Sequence, residues 1–379
     1  GGALGDMLLK ASGNITQAAS KSITTNGGDV TYWADSDNNG AGYVGLNNAS
    51  IVTNGGDITI GGGSDPAADA AIGPYGVDIN TGSSLNAGSG AISIRGNSSS
   101  NGNFGVGVRV RTATITSGNA TFFGEGTTLA ASNNWGVLFE GSTLTASGNV
   151  NITGTGGGTT GSGNHGLIYS SSTFNISGST NMVGNGGLSS GTANFGVVLI
   201  ASSINGQGSG AMNITGTGGT NASSSDNDGI SFNNTSTVQS RSGTMTLTGT
   251  PGSGAFSEGI FFVNGTTLGD ATNQTGDITV RTDLLGSTGV DVLGTGALTI
   301  EPLPAESSFG AAYTFSNITL GANLSGLTLG KASNTADVTI DSAINIAGPI
   351  TVYGGDIAVN ENLNTTAGGA LGDMLLKAS

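Results

Sequence analysis

The run Asp35-Ser36-Asp37-Asn38-Asn39-Gly40 places side-chain oxygens at alternate positions, on Asp35, Asp37 and Asn39, with a glycine to close the turn. This is the first half of a calcium loop, in which carboxylate and amide oxygens surround a hard cation. Its twelfth position is Leu46 where the loop needs a bidentate glutamate. The segment therefore reads either as a weak calcium site or as a turn whose Asx side chains cap backbone N–H groups. Asp226 and Asp228 form a second, weaker candidate of the same kind. No other cofactor is indicated.

Rings recur at a regular interval: Tyr75, Phe104, Trp135, His165 and Phe195, the last four each preceded by an asparagine, Asn103, Asn134, Asn164 and Asn194. Brought into line, they would make a structural aromatic column with an amide ladder, or a stripe of ring faces on which sugars dock. His165 is the only histidine and there is no cysteine. No base or nucleophile is spaced to work with it, and no short motif for phosphate, zinc or acyl chemistry occurs. The nine basic residues are scattered, so catalytic residues are not expected.

These residues must be positioned by a repeat. Glycine followed by apolar-x-apolar occurs at Gly76, Gly105, Gly136, Gly166, Gly196, Gly229, Gly259 and Gly289. The interval is close to constant, about 30 residues, as repeat architectures require. A second signal, x-apolar-x-apolar before a glycine-rich run, begins at Asp57, Ala91, Asn149, Ala211, Thr244 and Asp277. A third pairs a small residue with an aliphatic or aromatic one, as in Ser84-Leu85, Thr143-Leu144 and Thr173-Phe174. Each period of about 30 residues thus holds three short strands of period-2 alternation between Gly/Asn/Ser turns. Over 303–379 the spacing falls: Val338, Ile344, Ile350, Ile357 and Leu363 lie six or seven positions apart, which makes coils of about 20. The expected fold is all-β, a right-handed parallel β-helix (β-solenoid) with three strands per coil, elongated and uncapped. Strands of successive coils would stack about 4.8 Å apart. Long coils are expected over 1–302 and short ones after it. Glycine would supply positive φ at corners, and asparagine the same conformation plus stacked amides.

Within the glycine-led strand the middle residue should face solvent. Asp78, Ser231 and Asp291 suit that position, with Arg109 and Arg111 near Asp78 as an outward charge pair. Leu138, Ile168, Val198 and Phe261 do not suit it. An outward apolar stripe means either a lateral contact with another filament or cover by the glycine-rich loops that precede each strand.

The first twelve residues, GGALGDMLLKAS, recur as residues 368–379, a period of 367. Neither end shows a polar cap for its unpaired strand edges, so the chain is expected to be one period of a longer array, with copies of the repeat as end-to-end partners.

Composition narrows the function. Glycine supplies 71 of 379 residues, charged residues only 9%, and the net charge is -15. A phosphate backbone would be repelled and no basic patch exists, which argues against nucleic acid. No run approaches the ~20 apolar residues of a membrane span.

The runs SITTNGGDVTYWADSDN, ASIVTNGGDITIGGG, NVNITGTGGG and GTGALTIEPL resemble the filamentous haemagglutinin-like family of giant bacterial surface proteins. The resemblance covers most of 13–302 and continues more loosely to 366. It implies an exported, rod-shaped, adhesive or structural protein at the cell surface, in a Gram-negative-type bacterium, with no catalytic residues to carry over. The expectation is a structural shaft segment serving attachment. The alternatives are a glycan-binding adhesin acting through the ring column and, from another class, a polysaccharide-degrading β-helix enzyme, which would need carboxylates converging on one face.

Overall fold

A computed structural model describes residues 5–129, 132–221, 225–369 and 372–379. The chain winds as a parallel β-solenoid. In its longest sheet fourteen strands succeed one another, from Met7–Lys10 through Val30–Trp33 and Val150–Thr155 to Met374–Ala378, each paired in parallel with the next. Ten strands, from Ile15–Gln17 to Leu285–Ser287, form a second sheet, and eleven, from Ser22–Thr24 to Ile318–Leu320, a third. Two small sheets follow in chain order near the C-terminal end. One joins Tyr313–Phe315, Val338–Ile340 and Ile357–Val359; the other joins Ile344–Asn345 and Leu363–Asn364. Among the described residues the only helical element is one 3-10 turn, Ala367–Gly369. No helix there is long and apolar enough to cross a membrane.

Alternation explains the core. One inward column of the long sheet runs Val30, Ile58, Ile92, Ala120, Val150, Thr180, Met212, Met245, Ile278, Leu298, Leu327 and Ile350. An apolar residue buried in one coil is packed by its counterpart in the next, so almost every member is apolar. These columns join into one continuous hydrophobic interior. The largest rings meet in its middle coils: Phe139 lies 5.1 Å from Phe122, 5.9 Å from Tyr169 and 4.9 Å from Phe174 between centroids.

Coil length follows from the same register. From Val30 to Ile278 each coil returns to this column after about 30 residues, and the pairing is continuous. The next coil, Ile278 to Leu298, takes only about 20 residues, and those through Leu327, Ile350 and Met374 fall between the two lengths. Shortening therefore begins before residue 302. One consequence corrects the sequence reading. Gly289 does not lead a second-sheet strand: Val290–Leu293 pairs with Thr266–Gly269 in the third sheet, and the second sheet ends in Leu285–Ser287. Asp291 therefore does not share a column with Asp78.

Glycine does two jobs. Gly27, Gly55, Gly82 and Gly141 have positive φ at turns, as do Asn48, Asn54 and Asn234. The glycines inside strands serve close approach instead. Gly154 and Gly166 have ordinary backbone angles, yet a Cβ on Gly154 would overlap the Gly166 carbonyl oxygen. Gly154 pairs with Gly124 and Gly184 in adjacent coils, so a glycine column lets the long and second sheets meet edge to edge along the solenoid.

Polar side chains close the corners. Asp29 accepts from the Asp57 N–H (2.7 Å), Asn119 from Asn149 (2.8 Å) and Asn149 from Ser179 (2.8 Å). Each ties one coil to the next.

Candidate functional site

The outer face of the second sheet carries most of the residues singled out by sequence. Its strands Tyr75–Asn80, Val106–Arg111 and Trp135–Glu140 are in register with Val106 opposite both Tyr75 and Trp135. The expected ring column is therefore broken. Phe104 sits two positions outside the register, with φ 67° and 55% exposure. It meets Trp135 edge-on, 6.3 Å between centroids. His165 and Phe195 do stack, at 5.1 Å and 14° between planes. The Trp135 indole N–H donates to the Gly163 carbonyl (2.7 Å). His165 accepts the Phe195 backbone N–H on Nδ1 (3.2 Å), and desolvation holds its pKa down to about 3. A neutral imidazole that accepts a backbone N–H is a packing element of the coil.

The amide ladder is real but shifted by one member. Asn134 Oδ1 accepts from Gly105, Asn164 from Asn134, Asn194 from Asn164, and Asn227 from Asn194, all at 2.9–3.0 Å. Asn103 lies outside it and caps the exposed Ser132 N–H. Asn227, missed in the sequence, stands one residue before Asp228, where no ring marks the place.

The outward column runs Asp78, Arg109, Leu138, Ile168, Val198, Ser231 and Phe261. Leu138, Ile168 and Val198 are only 5%, 6% and 3% exposed, and Phe261 is half-buried. They do not present the open lateral contact face that was one expectation. Leu138 and Ile168 join Val106, Tyr75 and Trp135 in a small apolar cluster outside the main interior. The glycine-rich loops beside it are tied down, Gly157 N–H to Asn134 (2.9 Å) and Gly187 N–H to Asn164 (2.7 Å).

At its N-terminal end the same face becomes charged and grooved. Arg109 binds Asp78 through both ends of its guanidinium, at 2.8 and 2.7 Å, while lying 3.7 Å over the Tyr75 ring. Burial works against the charge on Arg109, but the hydrogen bond and charge of Asp78, with smaller help from Tyr75 and Glu140, outweigh it and raise its pKa. Arg111 pairs instead with Glu140 at 3.2 Å, where both side chains are nearly half exposed. A pocket of about 200 Å³ opens among Tyr75, Phe104, Val106, Arg111, Trp135 and Glu140. It shares Tyr75 with one of about 300 Å³ at Tyr43, Pro74, Tyr75 and Asp78, which in turn shares Tyr43 and Pro74 with another of about 350 Å³.

No family model, curated protein or solved structure matches this chain. What it can do must be read from its own geometry. The candidate calcium loop is a self-satisfied turn: buried Asp35 accepts the N–H groups of Asn39 (3.0 Å) and Gly40 (3.2 Å), and Asn39 donates to Asp37 (2.9 Å). Among the described residues no three His, Asp or Glu side chains gather as a metal site. Asp226 and Asp228 do not do so either. Asp228 is buried and accepts the Glu258 N–H (3.0 Å). Burial first, and the Glu258 carboxyl one coil on, push its pKa up to about 8. It lies outside the groove at Tyr75, and the residues around it line none of the pockets described above.

Proposed function

We propose that this chain is a shaft segment of an extracellular filament or giant adhesin built from tandem copies, displayed on a bacterial surface and working mechanically through reach and stiffness. The observation that carries the reading is the fate of the repeated segment. Met7–Lys10 and Met374–Ala378 have the same leading sequence and both take edge positions in the long sheet. Met7 stands on Val30 and Leu9 on Tyr32; Met374 stands on Ile350 and Leu376 on Val352. The two copies thus occupy the same inward columns at opposite ends, one full sequence period apart.

Side-chain chemistry supports the same conclusion. Asp6 Oδ1 accepts the Asp29 N–H of the next coil (3.0 Å). Its counterpart Asp373 is exposed and has no side-chain partner among the described residues, so it is free to accept the same N–H from a following copy. The small sheets ending in Ile357–Val359 and Leu363–Asn364 would receive the second- and third-sheet strands of that copy. Fourteen strands in succession make thirteen steps, so one period would advance the shaft by about 62 Å at ~4.8 Å per step.

Electron microscopy of the native material tests this. Rods of constant width with an axial repeat near that length are expected. Discrete particles one period long, on cells and after gentle release, would refute it.

A further inference from the structure

The groove on the second sheet arises from a fault in the repeat. Val106 occupies the position held by Tyr75 one coil before and by Trp135 one coil after. Two coil steps at ~4.8 Å separate those strands by about 10 Å, and the intervening coil offers a valine where a ring would fill the space. The displaced ring, Phe104, stands at the rim. It is an exposed phenylalanine at φ 67°, the corner conformation that Asn133, Ala193, Asp226 and Phe256 take at the same place in later coils. Its ring meets that of Trp135 edge-on. What sets Phe104 apart is its place: its exposed ring lines the pocket that Val106 leaves open.

We propose that this groove binds a neutral, hexose-based glycan. Tyr43, Tyr75, Phe104 and Trp135 supply apolar ring surface in four successive coils. Three coil steps span about 14 Å, the length of a trisaccharide. Sugars present apolar C–H faces to rings and ring-edge hydroxyls to planar polar groups. Arg111 and Glu140 are such groups, half-exposed and at the mouth of the pocket. Their mutual bond is surface-exposed and weak, so giving it up costs little and bonds to vicinal hydroxyls add to affinity. Arg109 is engaged with Asp78 and with the face of Tyr75, and holds that ring in place.

Charge selects the class. Each arginine in the groove is matched by a carboxylate, Arg109 by Asp78 and Arg111 by Glu140. The groove therefore carries no net charge, on a chain of net charge -15. A polyanionic glycan gains nothing locally and is repelled at longer range. This site does not depend on whether copies are joined into a shaft.

The test titrates the full chain, by calorimetry and saturation-transfer NMR, with β-linked trisaccharides of glucose, galactose and N-acetylglucosamine, and with tri-galacturonate. At least one neutral trisaccharide should bind saturably. Phe104→Ala, at an exposed position that leaves folding intact, should weaken it about threefold, and Trp135→Ala about tenfold. Arg111→Ala should also weaken binding without changing the melting temperature. The proposal is overturned if no neutral trisaccharide binds, if only tri-galacturonate binds, or if binding survives both Phe104→Ala and Arg111→Ala unchanged.

Discussion

The middle and the ends of the long sheet carry the same alternation with opposite results. In the middle, Ile152, Met182 and Ile214 stand directly over one another and are fully buried. At the ends the residues are just as apolar, yet Met7 is 40% exposed and Leu376 42%. Composition does not separate them; the number of neighbouring coils does. A solenoid residue is buried by the coils on either side, so stability is a nearest-neighbour property and an end strand has half the neighbours it is patterned for.

The buried rings of the middle coils should show the largest effect. Phe139→Ala should lower stability by about 3–5 kcal/mol, because Phe139 packs on Phe122 in its own coil and on Tyr169 and Phe174 in the next. Leu376→Ala, at an edge, should cost under ~1 kcal/mol. Urea denaturation that gives equal losses at the two sites would end the nearest-neighbour account. Next in size is the amide ladder. Asn164→Ala leaves the buried Asn134 N–H without its acceptor and should cost about 1–3 kcal/mol. Asn103→Ala removes only an exposed bond and should be almost silent in the same assay.

One effect has the opposite sign. Asp228 has its folded pKa raised to about 8, so the native state holds a proton that the unfolded chain releases near pH 4. The stability it contributes is complete below that pH and is lost as pH rises through about 8. Asp228→Asn keeps an acceptor for the Glu258 N–H and removes the titration. It should stabilise the protein far more at pH 7.5, where the unfolded chain has given up the proton, than at pH 4. Thermal melts at the two pH values check this, and equal shifts would refute it. Smallest is Leu8→Ser, on the outward side of the first strand and 59% exposed. It should move the melting midpoint by no more than about 0.5 kcal/mol in equivalent stability.

The sequence discloses the coil but not the outer detail, for a physical reason. Ile58, Ile92 and Val150 declare their column because an interior position one coil high accepts little besides an aliphatic side chain. The run Gly105-Val-Gly-Val-Arg-Val110 matches the strand signal in two frames, one starting two positions after the other. A shift of two preserves which residues face in, so alternation cannot choose between them. The structure chooses Gly107, which moves Phe104 out and Val106 in. Counting by thirty likewise misplaces Asp291, because the coil that starts at Ile278 already closes at Leu298. The loops beside Leu138 and Ile168 stack coil on coil, Ser162 N–H on Ser132 and Thr192 N–H on Ser162, but their small polar residues carry no alternation to show which way they fold, so the stripe's residues alone left cover and open contact undecided. The close-approach role of Gly154 was hidden as well, since glycine in a turn and glycine in a crowded strand look alike.

Stacking that carries from one copy into the next is tested most directly by a chain of two periods, residues 1–367 followed by 1–379. Small-angle scattering should show the long dimension growing by about 62 Å at ~4.8 Å per coil with no change in cross-section, and hydrogen exchange in the inner Met-Leu-Leu-Lys strand should slow to the rate of the central coils. Two rods hinged at the junction, or an inner strand that exchanges as fast as a free end, would contradict it.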